Sequence, residues 1–507
     1  MSDPSPSSTS TISGIDVMRG VGAKPAKSFW ADAWDRVLLR WAARIGIGWI
    51  AIIAFFAVFA PVLANGLPLW TTEFQMNADG SRGAVLTEWS PLWRGLGAVD
   101  LMLLIGTIVG VPWIAMPVSV LRLKRSHRLG ILCVAIVQGG FSVVIAGWVA
   151  DWLTAPNADP GIRDFATENA SAVPWLVGGG VSLILALACV FMPTFRRTFS
   201  RIALVTMIGA VSTLVIVDRF DPPRPNYDRF IDLELKGRYE NVYTVIPWSP
   251  TQARTNFYVL PPGTTVVSKE PDALDTSFGA RTFALGTDSV GQDVLSQMMH
   301  ACRLSISIGL VSTGISVLIG IVVGSLMGYF GGWVDLVLSR VVEIFMAIPV
   351  LFLLIVAAAV LPRNTYMMMA IIGLVSWTLS ARFIRAEFLK MRSQDFVQGA
   401  RAAGLPLRSV LFRHMLPNGI TPVLVQASFA IAAAILAEAT LSFLGLGPDG
   451  QASWGKLLAS ATGQTGTFNW WLAIFPGAAI FLTVLAYNLM GEAFRDAIDP
   501  KLRKAAH

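Results

Sequence analysis

Ten stretches of this chain are long, apolar and almost free of charged side chains, and they restrict the fold more than any other feature. A helix needs about 20 residues to cross the roughly 30 Å hydrocarbon core of a bilayer. With 54% hydrophobic and 14% charged residues, the chain is predicted to be an all-α polytopic membrane protein, and a soluble fold is excluded. The ten predicted transmembrane helices cover residues 45–72, 100–120, 130–150, 173–192, 202–217, 304–330, 341–361, 364–381, 423–446 and 470–490.

The loops between these stretches alternate in charge, which predicts the orientation of the chain. Basic loops stay on the cytoplasmic side of a membrane. Residues 122–128 and 196–201 are basic, whereas residues 151–172 carry four acidic side chains and one arginine. We therefore expect both termini in the cytoplasm, and the net charge of +7 indicates topology rather than nucleic-acid binding. The short stretch 202–217 crosses only with snorkelling of Arg201 or local thinning of the bilayer.

No residue pattern predicts a metal, cofactor or nucleotide site. Cys133, Cys189 and Cys302 lie in or beside apolar stretches without metal or disulfide spacing, so we interpret them as packing residues. Residues 450–457 have the glycine and lysine spacing of a phosphate-binding loop, but Leu457 stands where Ser or Thr must meet magnesium.

Residues 395–418 interrupt two long uncharged stretches with a basic, polar segment. Gly404 and Pro406 break helical periodicity, and this predicts two short helices joined by a bend. Before the bend, the spacing places Phe396, Ala400 and Ala403 on one side. Such a segment suits docking to a soluble partner, although any membrane protein has basic cytoplasmic loops.

This segment resembles the Glu-Ala-Ala loop of ATP-binding-cassette (ABC) importer permeases, in which Glu-Ala-Ala, three residues, Gly and nine residues precede a terminal x-Leu-Pro. Residues 398–400 take the first three places, Gly404 takes the glycine, and His414 to Pro417 form the end. Gln398 replaces the glutamate, and Gly399 replaces an alanine. The pattern is most similar to permeases of the dipeptide and oligopeptide (peptide/nickel/opine) importers, C-type chain, with the longer permeases of microcin C-type importers as one branch.

The resemblance implies a type I ABC importer transmembrane domain in a bacterial inner membrane, with peptide-like substrates. It implies as partners a second homologous permease chain, two ABC ATPase subunits, an external solute-binding protein and membrane lipid. ATP and magnesium would be bound by the ATPases, so this chain would not itself be an enzyme. The residues implied to couple ATPase closure to transport are Gln398, Ala400, Arg401, Gly404, Arg408, His414 and Pro417.

A second motif, at residues 286–293, is similar to the Gly-Thr-Asp-x-x-Gly-Arg-Asp segment of peptide-importer permeases. The resemblance implies that Gly286, Asp288 and Asp293 help to shape an outer gate. From the residues alone, 289–292 is a capping-box pattern that predicts an amphipathic helix along the outer interface.

Two carboxylates lie inside apolar stretches, where an unpaired charge costs roughly 2.5 kcal/mol or more. Arg340 precedes Glu343 by one helical turn, which predicts an ion pair. Glu438 has no local partner, so it either lines the pathway or is buried between two permease chains. The spacing of Gly320, Gly324 and Gly328 predicts a close approach of two membrane helices.

The predicted organisation is a cytoplasmic tail at 1–37, the first permease helix at 38–65, an inserted region with four spans at 66–217, an external loop region with the interfacial helix at 218–302, and the permease core at 303–507, with the coupling loop at 390–417. In the external region, Tyr227, Tyr239, Tyr243 and Trp248 are either a contact surface for a delivering protein or anchors at the membrane interface.

An ion-coupled secondary transporter is the alternative function, but that class predicts inverted repeats and more intramembrane ionisable groups.

Overall fold

The computed structural model describes residues 29–77, 81–116, 227–266, 281–462 and 467–498, together with residues 128, 160, 161, 163 and 164. The predicted spans 130–150, 173–192 and 202–217 lie outside these residues, as do the tail up to residue 28 and the residues after 498.

Four helices in the described part are long and apolar enough to cross a membrane. They are α2 (Trp41–Leu63), α7 (Val294–Phe330), α15 (Thr421–Phe443) and α17 (Trp470–Ile498), and a short helix α1 (Phe29–Leu39) precedes them. Each of the four corresponds to one predicted span. The first ends nine residues before the predicted limit, because the chain then turns into a β-strand.

Two further apolar segments are bent pairs of helices rather than single straight spans. Helices α8 (Gly332–Ala347) and α9 (Val350–Val360) meet at 81°, and α10 (Thr365–Val375) and α11 (Trp377–Met391) meet at 41°. The first break falls at Ile348, whose backbone is extended, since the following Pro349 disfavours helical geometry there. The predicted spans 341–361 and 364–381 therefore had wrong bounds. Counting each pair once gives up to six spans in the described residues, so ten are not confirmed.

The glycine ridge of α7 packs against α11, which confirms the predicted close helix approach. A Cβ atom on Gly320 would lie 2.4 Å from the Cβ of Ser380, and one on Gly324 would lie 2.4 Å from the carbonyl oxygen of Ala381. Gly328 meets the Cβ of Phe388 at 2.5 Å in the same way. The two helices can be this close only where one of them carries no side chain.

Helix α2 packs into the same bundle although a long insertion separates it from α7. Gly46 of α2 faces the backbone of Ala486 in α17, at 2.8 Å from the position of a Cβ. At the ends of these two helices, the Arg40 guanidinium pairs with Asp496.

The region between α2 and α7 contains a three-stranded antiparallel sheet of order β2-β1-β3. Strands β1 (Trp70–Met76) and β2 (Arg82–Trp89) lie in the predicted inserted region, and β3 (Tyr239–Val242) lies in the predicted external loop region. The sheet therefore joins the two regions that the predicted boundary at 217/218 separates. A second sheet pairs β4 (Thr264–Val266) with β5 (Arg281–Phe283). The short helices here are α3 (Pro91–Gly95), α4 (Ala98–Ile105), α5 (Val111–Ala115) and α6 (Tyr227–Leu235), with a π-helical turn at Gly106–Gly110 and a 3-10 turn at Thr255–Phe257.

The predicted span 100–120 corresponds to α4, the π-helical turn and α5. Together they form an apolar helical stretch at Val99–Ala115, which is shorter than a typical span. Asp100 caps α4 by accepting a hydrogen bond from the Gly97 N–H at 3.1 Å, and it also pairs with the guanidinium of Arg303 in α7. This ion pair ties the start of the insertion to the bundle.

The four aromatic residues of the predicted external region form neither an exposed contact surface nor a set of anchors at the membrane interface. Trp248 and Tyr239 are buried, and Tyr227 and Tyr243 are partly buried. Trp248 stacks on Phe283 with ring centroids 4.5 Å apart. Tyr239 and Tyr227 belong to one small hydrophobic cluster, and Trp248 belongs to a second with Phe257 and Phe283. The Tyr243 hydroxyl donates to the Glu234 carboxylate at 2.9 Å.

The predicted interfacial helix is wrong, because α7 is one continuous helix that begins at Val294. Its N-cap is Asp293, so Ser289 and the predicted capping box do not start it. With 37 residues, α7 is about 55 Å long, against a hydrocarbon core of roughly 30 Å. It is therefore longer than a single straight crossing requires, and its first turns pack against the region between α2 and α7.

Candidate functional site

The segment 395–418 folds as two short helical pieces around a bend, as predicted. Helix α12 (Asp395–Ala402) ends before Gly404, which adopts a left-handed φ of +72°. Helix α13 (Leu407–Ser409) follows Pro406 and continues as a π-helical turn, Val410–Met415, and then as α14 (Leu416–Gly419). Gly404 supplies the left-handed turn that reverses the chain here, because a residue with a Cβ is strained at such a φ.

The inner side of this segment is anchored in the bundle. Val397 and Ala400 are buried, whereas Phe396 and Ala403 are exposed, so the predicted apolar face was rotated by about one residue. The buried residues form a continuous hydrophobic cluster between the segment and helices α7 and α11. Its buried members are Ile321, Ile384, Phe388, Met391, Val397, Ala400, Val410, Leu411, Met415 and Val423.

The outer side of the segment combines large apolar and basic side chains. Phe396, Leu405, Leu407 and Phe412 are all at least a third exposed. The basic residues Arg401, Arg408 and Arg413 are exposed beside them. Exposed apolar groups surrounded by cations on a rigid support indicate a protein-docking surface with acidic complementarity.

Local hydrogen bonds hold the remaining motif residues in place. The side-chain amide of Gln398 donates to the Ser393 carbonyl at 3.1 Å, and that of Asn418 donates to the His414 carbonyl at 2.7 Å. Pro417 is exposed, and His414 is half-buried. Gln398 thus closes the turn before α12.

The outer loop 286–293 is organised by a carboxylate inside it. Asp288 Oδ1 accepts hydrogen bonds from the backbone N–H groups of Val290 and Gln292, each at 2.9 Å. Its Oδ2 accepts one from the Gln297 side chain at 2.8 Å. Asp293 Oδ2 accepts from the Ser296 N–H at 2.6 Å, which caps α7. The loop is therefore a rigid connection rather than a mobile one.

Glycines let other backbone segments approach this loop. Gly286 has a φ of +80°, and a Cβ there would lie 2.5 Å from the carbonyl oxygen of Leu260. At Gly291 the same atom would lie 1.8 Å from the carbonyl oxygen of Arg254. The indole of Trp471 donates to the Thr287 carbonyl at 3.2 Å, so the loop also binds the start of α17.

Burial raises the pKa of the Asp293 carboxyl to about 7. The hydrogen bonds from the Ser296 and Leu295 N–H groups act in the opposite direction, and the nearby Asp288 adds to the increase. The proton on this residue is thus sensitive to pH close to neutrality.

A cavity of about 1050 Å³ lies between α7, the bent pairs and α15. Its central wall carries hydroxyl and amide side chains, among them Ser316, Ser376 and Gln426. Its ionisable lining residues, within the described part of the chain, are Glu387, Lys390 and Arg495, near the C-terminal ends of α11 and α17. Asn418 and Thr421, at the end of the 395–418 segment, line it as well.

Glu438 does not line this cavity. Its side chain is 0% exposed within this single chain, and Oε1 accepts hydrogen bonds from Ser442 at 2.6 Å and Ser453 at 2.8 Å. Ser453 caps helix α16 (Trp454–Ser460), so Glu438 fixes that helix to α15. The prediction that Glu438 lines a pathway or a contact between chains is therefore corrected. Arg340 and Glu343 do form the predicted pair.

Gln426 and Ser376 were not predicted from the sequence as cavity residues. Gln426 was detectable as a lone amide within an apolar stretch, whereas Ser376 marks a helix break that its neighbours do not signal. In the described residues, no cluster of three or more His, Cys, Asp or Glu side chains forms a metal site.

Residues 320–504 match the family model of the binding-protein-dependent transport system inner membrane component. A peptide permease protein of Brucella suis is 41% identical over 220 residues, which cover 43% of this chain and 72% of that protein. A dipeptide transport system permease protein of Alkalihalophilus pseudofirmus is 34% identical over 219 residues, covering 43% and 72%. A di/tripeptide transport system permease protein of Pseudomonas aeruginosa is 36% identical over 263 residues, covering 52% and 83%.

Proposed function

This chain belongs to the permease family of peptide ABC importers, and we propose that its 395–418 segment couples ATPase closure to alternating access of the cavity between α7, α11 and α15. The chain is the membrane permease subunit, and peptides are the proposed cargo. The proposed coupling residues are Gln398, Ala400, Arg401, Gly404, Arg408, His414 and Pro417.

The observation that carries this proposal is the direct connection between the segment and the cavity. Asn418 ends the segment and lines the cavity, and Thr421 begins α15 and lines it too. The segment is also anchored through Met415 and Val410 to α7 and α11. A push on its outer face would thus be transmitted as a rigid movement of the cavity walls, in keeping with domain rocking.

The exposed face of the segment supports ATPase subunits as its partner. Two ABC ATPases in the cytoplasm would receive Phe396, Leu405 and Phe412 in apolar grooves and pair Arg401 and Arg408 with acidic side chains. ATP and magnesium would be held by those subunits, and ATP hydrolysis would occur there. This arrangement requires the segment and both termini to be cytoplasmic.

An exposed ion pair on helix α8 supports the proposal that a second permease chain is a further partner. The Arg340 and Glu343 side chains form an ion pair that is 69% and 58% exposed, within one of the bent apolar pairs. Exposure of a charged pair to lipid is costly, so this face meets water or another protein. A homologous permease chain would cover it and close the open side of the cavity.

The external region supports contact with a solute-binding protein that delivers the peptide. The loop at Gly286, Asp288 and Asp293 rigidly links the external core to α7, and we propose that it shapes the outer gate. We retain 303–507 as the permease core and 38–65 as its first helix.

Gly404 provides the test of coupling. Valine at a φ of +72° is strongly strained, whereas Asn adopts this conformation more readily. A Cβ there would meet no other described residue within 4 Å, so strain rather than a clash would be responsible. We expect Gly404→Val to lower the peptide-stimulated ATPase activity of the purified complex by about tenfold, which corresponds to roughly 1.4 kcal/mol.

Gly404→Asn is the matched control and should retain most of that activity. Gel filtration should show both variants assembled with their ATPases. Full stimulation of an assembled Gly404→Val complex would refute the role of this turn.

A further inference from the structure

The central wall of the cavity carries hydrogen-bond donors that no group of the described chain uses. Gln426 lines the cavity from α15 with only 8% of its surface exposed. Its Oε1 accepts a hydrogen bond from the Ser380 hydroxyl at 2.9 Å, which fixes the direction of the amide. Among the described residues, the hydrogen bond from Ser380 is the one found for this side chain, and Nε2 donates none.

A helix begins beside this amide, partway through the bent pair. Helix α11 starts after Ser376, which lies 12 residues beyond Asn364, or about 18 Å along the segment. The Ser316 hydroxyl of α7 donates to the Ser376 carbonyl at 2.9 Å and holds the break in place. Ser376, which caps α11, and Leu379, in the first turn of α11, both line the cavity.

The first turn of α11 is a second source of donors. The backbone N–H of Ser376 is bonded to the Ile372 carbonyl, but the N–H groups of Trp377 to Leu379 have no backbone acceptor across the break in the described residues. Free N–H groups and the helix dipole favour an anion at such an end. Discontinuous membrane helices use their N-terminal ends in this way to hold anionic groups of a substrate.

The surrounding charge fits an anionic group that binds weakly. Among the described residues that line the cavity, the one carboxylate is Glu387, which lies near the C-terminal end of α11, almost three turns further on and close to Lys390. None of the described arginines and lysines lines the central wall. Such a site would hold an anion without trapping it, as passage through a membrane requires.

We infer that the Gln426 amide and the start of α11 form a subsite for the C-terminal carboxylate of the peptide in transit. This inference rests on the proposed function and adds a substrate contact to it. Because every linear peptide has a terminal carboxylate, the subsite would act independently of the side chains. The cavity volume of about 1050 Å³ is at the upper end of small-ligand pockets and leaves room for the rest of a short peptide.

The test uses the complete complex, purified through a tag on this chain and reconstituted in proteoliposomes with its binding protein. Gln426→Met keeps the side-chain volume and removes the donor, and Gln426→Glu keeps the acceptor for Ser380 but replaces the donor by an oxygen. The control is Ser428→Ala on the same helix, since Ser428 does not line the cavity. The readout is ATP-driven uptake of tri-alanine and of tri-alanine amide, normalised to wild type for each peptide.

We expect both Gln426 variants to lower tri-alanine uptake about tenfold, the effect of losing one hydrogen bond to a charged group. Uptake of tri-alanine amide should fall by less than threefold, and Ser428→Ala should match wild type for both peptides. Unchanged tri-alanine uptake, or equal losses for the two peptides, would overturn the carboxylate subsite. A wild-type complex without ATP-driven uptake would instead refute the proposed function, and with it this inference.

Discussion

Asp293 joins a rigid external loop to the longest helix described, and its carboxyl group is buried outside the membrane-spanning segments. The energetic consequence follows from its raised pKa of about 7. In the unfolded chain the group titrates near 3.8, so between these values the folded state binds the extra proton. Stability from this residue is complete below about pH 4 and is lost as the pH rises through 7.

We therefore predict that the melting temperature of the purified protein decreases from pH 5 to pH 8, and that Asp293→Asn makes this decrease smaller. Each pKa unit corresponds to about 1.4 kcal/mol, so the change is measurable by differential scanning fluorimetry. The Asn side chain still accepts the hydrogen bond from the Ser296 N–H, so the cap is preserved. If the melting temperatures of the two proteins depended on pH in the same way, Asp293 would not have the raised pKa.

For individual residues, the sequence predicted the structure correctly where neighbouring residues in the chain determine it. Gly404 and Pro406, two residues apart in a polar segment, mark a helix break, and Arg340 and Glu343 lie one turn apart on any helix. The predicted capping box failed because Asp288 accepts its hydrogen bonds from within the loop and from Gln297, and these contacts depend on the tertiary structure. Glu438 was misassigned although one partner, Ser442, lies four residues further on in the same helix; its second partner, Ser453, lies beyond the end of that helix.

At the scale of elements, the packing of α7 on α11 depends on glycines whose surroundings differ along one helix. A Cβ at Gly324 would lie 2.4 Å from a backbone oxygen, whereas a Cβ at Gly314 would meet nothing within 4 Å. Backbone cannot move aside as a flexible side chain does. Replacing each of these glycines by alanine therefore gives a test variant and a matched control on the same helix.

We predict that Gly324→Ala destabilises the protein by about 1–3 kcal/mol, the usual effect of overpacking. Gly314→Ala should leave stability unchanged or raise it by up to about 1 kcal/mol through helix propensity. Thermal denaturation in detergent, followed by the loss of monodisperse protein on gel filtration, measures both. Equal behaviour of the two variants would show that the ridge does not determine the helix packing.

Hydropathy located the membrane elements but not their bends or ends. A window of apolar residues records length and composition, and α8 with α9 passes that test although the pair turns by 81°. Pro349 was a readable signal of that break, whereas nothing in the residues around Ser376 marks the smaller bend. The interfacial helix was mistaken because α7 continues from the external region into the membrane without a change in helical periodicity.

At the scale of the whole molecule, contacts between residues far apart in the chain organise the region between α2 and α7 and connect it with the bundle. Strand β1 pairs with β3, and the Asp100–Arg303 pair connects α4 with α7. Pairings between residues more than 160 positions apart are not readable from one sequence. Helix α2 packs on α7 and α17 although this long region separates it from both in the chain.

The central claim is that this chain forms part of an ATP-driven peptide importer, and transport by the purified complex tests it most directly. The complex would be isolated through a tag on this chain and reconstituted in proteoliposomes with its binding protein and a labelled tripeptide. We predict uptake that requires ATP and binding protein and that persists when ionophores collapse the ion gradients. Uptake that continues without ATP and stops when an ion gradient is collapsed would contradict the account and establish an ion-coupled secondary transporter.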